Sequence, residues 1–376
     1  LKDVMRLFVS EPQFEGQEEA YLLDCLRNGR VSSGRFVREF EEEFAQYIGV
    51  DHAVACNSGT AALHLALLGL GLKKGDEVIA PTFTMAASIN SIIMTGAKPV
   101  LVDADSETYC INVDKIEGEI NNRTKGIMAV HIYGHPCDMD RINEIAKKYD
   151  LFVIEDAAEA HGAEYKGKKC GSMSDIGCFS FYANKILTTG EGGMCVTNNL
   201  ELAEKMRRLR NHAFHLPRFI HKEVGFNYRL TNVQAAIGTA QIENVEMLVE
   251  ARRNVGKRYN KKLEGFDKLI LPVEKDYAKN VYWMYGVVLS DNVRITKEEV
   301  MQKLKEKGID TRSFFIPMHR QPAYYNKTVE NAPNCDGEFP IADKIGARGF
   351  YLPSSSNITD EEIETVDEIL KEVLLE

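Results

Sequence analysis

The stretch 57–63 (NSGTAAL) follows an apolar strand pattern and opens a helix pattern, with Ser58, Gly59 and Thr60 at the turn. The N–H groups at a helix start, the two hydroxyls and the positive end of the helix dipole together suit a dianionic phosphate. The alternative is a helix N-cap without a ligand, because Ser and Thr are common capping residues. The residues alone leave both interpretations open.

A pair of carboxylates, Glu155 and Asp156, stands at the end of another apolar run, and Glu159 follows three residues later. A pyridoxal phosphate (PLP) ring acts as an electron sink when its pyridine nitrogen stays protonated, and a carboxylate paired with that nitrogen keeps it so. Asp156 suits this role. The alternative is an Asp that caps a helix after a strand.

Lys185 follows the aromatic run 179–183 and precedes the loop 188–193, which is rich in Thr and Gly. A partly desolvated lysine has a lowered pKa, so its free amine can form an imine with an aldehyde. Ser180 is predicted to face the same cleft and to hold phosphate. The alternative for Lys185 is a solvated lysine at a strand end. The glycines of 190–193 do not indicate a dinucleotide loop, because an apolar run and not a helix follows them.

The elements that must position these residues alternate between short apolar runs and amphipathic stretches from about residue 50 to 200. Such alternation predicts an α/β domain with a mostly parallel sheet covered by helices. Ligands of such sheets bind beyond the carboxyl ends of the strands. The predicted strands are 53–56, 78–80, 100–102, 127–130, 151–154 and 178–181, with helices at 61–70 and 139–148.

The texture changes after about residue 225. A long helical stretch at 232–263 leads to a strand region at 282–289 and to helices at 297–307 and 360–375. These patterns predict an N-terminal segment (1–15), a large cofactor-binding domain (16–250) and a small C-terminal domain (251–376).

The composition narrows the classes of function. A net charge of -10 argues against general nucleic-acid binding, which needs an excess of Lys and Arg. No apolar stretch approaches the roughly 20 residues of a membrane span. The eight cysteines show no CxxC spacing, which is typical of free, mostly buried thiols in the cytoplasm and does not indicate a metal site.

Together these motifs resemble the DegT/DnrJ/EryC1/StrS family of sugar aminotransferases. The resemblance implies PLP fold type I, which is aspartate-aminotransferase-like: a large, mostly parallel mixed sheet with flanking helices and a smaller C-terminal α+β domain. The motifs that carry it run through most of the chain: 57–63, 155–162 (EDAAEAHG), 179–193, 225–232 (GFNYRLTN) and 317–319 (PMH).

The resemblance also implies roles for individual residues. Lys185 corresponds to the lysine that forms the imine with PLP, Asp156 to the partner of the pyridine nitrogen, and Glu159 to a residue beside the ring. Asn227 corresponds to a residue that reaches the phosphate of the neighbouring subunit, which implies a homodimer with shared active sites. Phosphate contacts are implied for Ser58, Gly59, Thr60 and Ser180, and substrate contacts for His319, Arg312 and His212.

The chain departs from the family pattern at Met85, where many members place an aromatic residue over the PLP ring. A methionine can still pack on a π face, although Phe83 lies close enough in sequence to be mistaken for the stacking residue. The three histidines His212, His215 and His221 are also compatible with an exposed loop without a substrate role.

The activity that the resemblance implies is transfer of an amino group from L-glutamate to a nucleotide-linked keto-sugar, in polysaccharide or O-antigen biosynthesis. The run 131–139 (HIYGHPCDM) is similar to that of members that aminate GDP-4-keto-6-deoxymannose. A 3-keto sugar, or a UDP- or dTDP-linked one, is an alternative, as is a non-catalytic sensor or scaffold. Lys185 argues against a 3-dehydratase, which has histidine there, and the glycine-poor turn at 57–60 argues against an NAD(P)-linked enzyme.

Overall fold

The computed structural model describes residues 7–217 and 219–375; the first six residues of the predicted N-terminal segment therefore lie outside the described part. Each of the six predicted apolar runs from 53–56 to 178–181 overlaps one of its strands. The strands are β1 (His52–Cys56), β2 (Glu77–Pro81), β3 (Lys98–Val102), β4 (Thr124–Val130), β5 (Phe152–Asp156), β6 (Glu164–Tyr165), β7 (Lys168–Lys169), β8 (Ile176–Ser180), β9 (Gly193–Thr197), β10 (Phe214–His215), β11 (Ile220–His221), β12 (Leu269–Ile270), β13 (Ala278–Lys279), β14 (Gly286–Leu289), β15 (Arg312–Ser313) and β16 (Gly349–Tyr351).

Helices flank the large sheet and also occur throughout the C-terminal part of the chain. They are α1 (Glu18–Arg27), α2 (Arg35–Ile48), α3 (Gly59–Gly69), α4 (Ala86–Met94), α5 (Met139–Tyr149), α6 (Leu200–Leu209), α7 (Asn232–Glu243), α8 (Val245–Leu263), α9 (Lys297–Glu306), α10 (Pro322–Tyr325), α11 (Pro340–Arg348) and α12 (Asp360–Leu375).

The central sheet has seven strands in the order β1-β9-β8-β5-β4-β2-β3. All neighbours pair in parallel except β9, which is antiparallel to both β1 and β8. Every residue of β2 and β9 is buried, as expected for strands covered on both faces. This arrangement confirms the predicted mostly parallel mixed sheet. Its carboxyl edge carries Asp156 at the end of β5 and Ser180 at the end of β8.

The later part of the chain forms a separate antiparallel sheet in the order β12-β14-β16-β15. A second apolar core packs under it and draws on α8 from Val255 onward, just beyond the predicted boundary. Leu7 belongs to this core, so the N-terminal segment reaches the C-terminal sheet. Trp283 and Phe314 instead pack into the first core. The division at residue 250 stays a prediction, because side chains from each side of that residue pack into the core formed mainly by the other side.

Two predicted elements are shorter than their sequence patterns. The helical stretch 232–263 is interrupted at Asn244, which has non-helical φ and ψ and donates its side-chain amide to the Ala240 carbonyl, because Asn competes for backbone partners. The predicted strand 282–289 begins only at Gly286. Tyr282 has a φ of 48°, which an extended strand does not allow.

Other expectations from composition can be checked directly. All eight cysteines are free thiols, seven of them buried and Cys335 half-buried, as predicted. Among the described residues, no helix combines the length and the apolar character that crossing a membrane requires.

Candidate active site

Lys185 lies in the loop between β8 and β9, and its side chain is only 10% exposed. The alternative of a solvated lysine is therefore wrong. Its Nζ atom lies 3.7 Å from Glu159 Oε1 and 3.7 Å from the centroid of the Trp283 ring. Burial lowers the pKa of the Lys185 amine, against the opposing charges of Glu159 and Asp156. A lowered pKa increases the fraction of free amine, which is the nucleophilic form.

Asp156 is 5% exposed, and burial raises the pKa of its carboxyl. Its Oδ2 atom accepts a hydrogen bond from Ser88 Oγ at 2.7 Å, and Thr84 Oγ1 lies 2.8 Å from the same hydroxyl. Its Oδ1 atom accepts from the Ala158 amide at 3.2 Å. No helix follows Asp156, because residues 157–163 form turns. The helix-capping alternative is therefore wrong, and the fixed carboxylate suits a cationic ring nitrogen.

Glu159 is a second buried acid beside Lys185. Its Oε2 atom accepts a hydrogen bond from the Tyr133 amide at 2.8 Å, and Tyr133 takes a left-handed φ of 55° to present that amide. Burial raises the pKa of Glu159 to about 7, although the Lys185 charge and the amide both lower it. Glu159 therefore changes its charge near neutral pH in the protein without cofactor.

The raised pKa of Glu159 predicts a loss of stability with rising pH. The folded protein binds the Glu159 proton more tightly than the unfolded chain. The stability that this proton contributes is therefore complete below about pH 4.5 and is lost as the pH rises through 7. We expect the free energy of unfolding of Glu159→Gln, measured with urea, to exceed that of the wild type by about 2 kcal/mol at pH 8, with little difference at pH 4.5. Equal stability of the two apo-proteins at pH 8 would contradict this expectation.

The turn after β1 and the end of β8 form a narrow cradle. Gly193 pairs with Cys56 on one side and with Ser180 on the other, which brings the two strand ends together. A Cβ atom on Gly59 would lie 2.7 Å from the Ser180 Cβ atom, and one on Gly193 would lie 2.2 Å from the Ser58 carbonyl oxygen. Only glycine at these two positions lets the backbones approach so closely.

Ser58 is also the N-cap of α3, since its Oγ atom accepts a hydrogen bond from the Ala61 amide at 3.1 Å. The capping interpretation is therefore confirmed, and it does not exclude a ligand, because the first turn of α3 still points its amides at the cradle. Thr60 lies in that turn, and Ser180 flanks it from β8. The donor set fits a phosphate. Together with Asp156 and Lys185, the site fits PLP.

The remaining predicted residues lie at more exposed positions. Met85 is 51% exposed and stands at the N-cap of α4. Asn227 is exposed, and its Oδ1 atom accepts a hydrogen bond from Arg229 Nε. His212 takes a φ of 58° next to the β10–β11 hairpin, and its carbonyl accepts from His221 Nδ1. Arg312 is exposed at the start of β15.

His319 occupies a different setting from the one expected for a substrate contact. It is 4% exposed, and its Nδ1 and Nε2 atoms lie 2.8 Å from Thr82 Oγ1 and 2.9 Å from Asp343 Oδ1. Its ring also stacks on Phe339. Because both ring nitrogens already have hydrogen-bond partners, a substrate could bind the ring only by displacing Thr82 or Asp343. In this arrangement His319 joins the end of β2 to α11, and its substrate role stays a prediction.

Sequence reasoning missed four residues that the structure brings to the site: Thr84, Ser88, Tyr133 and Trp283. Thr84 lies between Phe83 and Met85, and Ser88 lies in the first turn of α4; no sequence motif distinguished their hydroxyls. Tyr133 lies within the run 131–139, which was noted only for its resemblance. Trp283 is the single tryptophan of the chain, a signal that could have drawn attention to it.

One group of described residues gathers potential metal ligands: atoms of His131, Glu155 and Cys170 lie within 4.8 Å of one another. Glu155 accepts hydrogen bonds from His131 Nε2 and from two amides of the turn 171–173. The Cys137 amide donates to His131 Nδ1, so a neutral imidazole carries its proton on Nε2, facing Glu155. These bonds satisfy both groups without an ion, and they fix the strand ends beside Asp156.

Comparison with known proteins agrees with this geometry. A model of the DegT/DnrJ/EryC1/StrS aminotransferase family matches residues 12–371. The chain is 45% identical to a GDP-perosamine synthase of Caulobacter vibrioides, over the full length of both chains, and 42% identical to one of Escherichia coli O157:H7, over 97% of both. The crystal structure of S. venezuelae DesV in complex with a ketimine intermediate superposes with a TM-score of 0.88 at 35% identity, covering 95% of this chain and 94% of that one.

The fold and the site define a PLP-dependent aminotransferase of fold type I. Within that class, the chain belongs to the DegT/DnrJ/EryC1/StrS aminotransferase family.

Proposed function

We propose that this enzyme transfers the amino group of L-glutamate to a GDP-linked 4-keto-6-deoxy sugar, the reaction type of a GDP-perosamine synthase. The observation that carries the proposal is the 45% identity to such a synthase along the full length of both chains. The buried Lys185 supports a transaminase in preference to a 3-dehydratase, and it supports an enzyme in preference to a scaffold, since burying an amine without a function is costly.

The contacts of these side chains support the roles proposed for them. Bound PLP supplies an electron sink that stabilises negative charge on the carbon from which a proton is removed. Lys185 Nζ would take that proton from the donor's Cα and return it to the cofactor's C4′ carbon, on the other side of the transferred nitrogen, as general base and acid. Asp156, held by Ser88, keeps the ring nitrogen protonated. Residues 58–60 and Ser180 hold the phosphate with hydroxyl and amide donors.

Glu159 is proposed to lie beside the ring and Met85 over its face, while small-domain and loop residues are proposed to meet the sugar nucleotide. Arg312 is exposed and cationic, so it can pair with a diphosphate. His212 lies in the loop that carries Asn227. His319 is the third proposed substrate contact, reached only by exchange with Thr82 or Asp343.

The test of the acceptor is a panel of keto-sugar nucleotides incubated with purified enzyme, PLP and labelled L-glutamate. We expect label in the product with GDP-4-keto-6-deoxymannose and at least tenfold less with dTDP- or UDP-linked 4-keto sugars or 3-keto sugars. Transfer to a dTDP- or UDP-linked sugar alone would replace the proposed acceptor with the corresponding alternative. A lack of transfer to every sugar, with PLP bound, would favour the scaffold.

A homodimer with shared active sites is also proposed. The loop 211–229 places three large apolar side chains in solvent: Leu216 is 93% exposed, Phe219 69% and Val224 82%. Apolar side chains this exposed on one loop are typical of a surface that another subunit covers. Asn227 lies on the same loop, and we propose that it reaches the phosphate cradle of the second subunit. We propose that the enzyme works in the cytoplasm, where its acceptor would be made.

Shared active sites predict complementation between two inactive variants. Lys185→Ala removes the amine from one subunit, and Asn227→Asp places a negative charge against the phosphate bound by the other. In an equal mixture that has exchanged subunits, half of the dimers are mixed and each has one intact site, so about a quarter of wild-type activity should return. A mixture that stays inactive although native mass spectrometry shows mixed dimers would contradict shared sites.

A further inference from the structure

Trp283 lies against the reactive amine from a distant part of the chain. It is 4% exposed and belongs to the segment that precedes β14, yet its ring centroid is 3.7 Å from Lys185 Nζ. Its indole Nε1–H donates a hydrogen bond to the carbonyl of Asn184, the residue before the lysine, at 2.8 Å. The Trp283 side chain thus contacts both the backbone of the loop that carries Lys185 and the amine at the end of the lysine side chain.

Trp283 is itself firmly held. Its amide donates to the Tyr133 carbonyl at 3.0 Å, and its carbonyl accepts from Nη1 of the buried Arg252 at 3.1 Å. Its ring stacks at 6.5 Å on that of Tyr133, whose own amide binds Glu159. These contacts fix the position of the Trp283 ring, which therefore offers the amine a rigid surface.

The other described contact of the amine is too long to orient it. Glu159 Oε1 is 3.7 Å from Lys185 Nζ, whereas a charge-assisted hydrogen bond between such groups measures about 2.8 Å. The lysine stem is flexible, with four carbons between backbone and amine. In its protonated form, the Lys185 amine over the indole face is attracted by the ring quadrupole, and Trp is the best of the aromatic residues for this contact.

We propose that Trp283 is a positioning residue for Lys185: its ring face holds the amine and its indole N–H fixes the loop that carries it. This inference rests on the proposed roles of Lys185 and PLP. The amine must be released from the cofactor and stay within reach of the proton that it transfers. A lysine held by a rigid ring finds the reacting atoms more often than one with free rotation, because orientation entropy has already been lost.

The first test measures how fast Lys185 captures PLP. Apo-protein is mixed with PLP, the link is fixed with borohydride at timed intervals, and mass spectrometry counts the label on the Lys185 peptide. We expect Trp283→Leu to capture about tenfold more slowly than wild type, and Trp283→Phe, which keeps a ring face, to stay within about threefold. Tyr285→Phe is the matched control, because it removes a buried aromatic hydrogen bond to Asn260 from the same segment.

The outcomes separate this inference from the proposed function. Capture by Trp283→Leu at the wild-type rate would overturn the positioning role and leave the function intact. Trp283→Phe as slow as Trp283→Leu, with both variants folded by circular dichroism, would overturn the role of the ring face. Absence of label on wild-type Lys185 would instead contradict the function itself.

A second test needs no substitution and so does not depend on a variant that folds. Trp283 is the only tryptophan, so the intrinsic tryptophan emission reports on this one ring. If Trp283 lies against the Lys185 amine, PLP bound there accepts its excitation energy, and most of the emission should disappear as the cofactor is added. Wild-type protein that is labelled on Lys185 but keeps its full emission would overturn the inference.

Discussion

Replacing Lys185 with alanine will abolish amino-group transfer, by on the order of 10⁴-fold or more. The loss is this large because, in the proposed mechanism, one buried amine serves twice, first as the covalent anchor of the cofactor and then as the base and acid that moves the proton. Among the described residues, the other buried groups at the site cannot replace it, since Asp156 is proposed to pair with the ring nitrogen and Glu159 to lie beside the ring. Labelled glutamate and the keto-sugar acceptor measure the transfer.

Two controls separate chemistry from folding. Lys185→Arg keeps a positive charge beside Glu159 but cannot form the covalent link, so it should be as inactive as the alanine variant. Lys74→Ala removes a lysine that is 78% exposed and pairs with Glu330 at the surface, and it should behave as the wild type. Detectable product from folded Lys185→Ala would refute the proposed role.

Changing Asp156 to asparagine should lower the rate of transfer by about 10³-fold, because the neutral amide no longer stabilises a proton on the ring nitrogen. The amide has the same shape and can still accept the Ser88 hydroxyl. We therefore expect PLP to bind and Lys185 still to be labelled by borohydride, while proton removal from the amino donor slows. Exchange of the glutamate α-proton with deuterated solvent measures that step.

The matched control for this change is Asp140→Asn on α5, which removes an exposed carboxylate paired with Lys166 and should leave the exchange rate unchanged. Ser88→Ala removes one of the two described hydrogen bonds to the Asp156 carboxylate and keeps its charge, so a loss of about tenfold is expected. Exchange by Asp156→Asn at the wild-type rate would show that another group sets the charge of the ring.

Much of the fold could be predicted because buried parallel strands have a continuous apolar pattern. The runs at 78–80 and 100–102 lie inside β2 and β3, and α12 has the predicted limits of 360–375. The lengths of the helix at 232–263 and of the strand at 282–289 were predicted wrongly for a local reason. Asn244 and Tyr282 adopt backbone angles that hydrophobic periodicity does not encode. These angles depend on the local hydrogen bonds that each residue makes.

The sequence by itself determined the parts of the site that neighbouring residues can build. Residues 58–60 form a turn at a helix start, Asp156 ends a strand, and Lys185 follows an aromatic run, because each depends on local propensity and the apolar pattern. The family resemblance added the cofactor and the class of reaction.

Only the tertiary structure decided what surrounds these residues. The contacts of Ser88 with Asp156, of Tyr133 with Glu159 and of Trp283 with Lys185 join segments that lie far apart in the chain. It also placed His319 between Thr82 and Asp343. Such contacts arise when packed sheets and helices bring distant side chains together, and the burial that shifts the pKa values of Lys185, Asp156 and Glu159 exists only once that packing is complete.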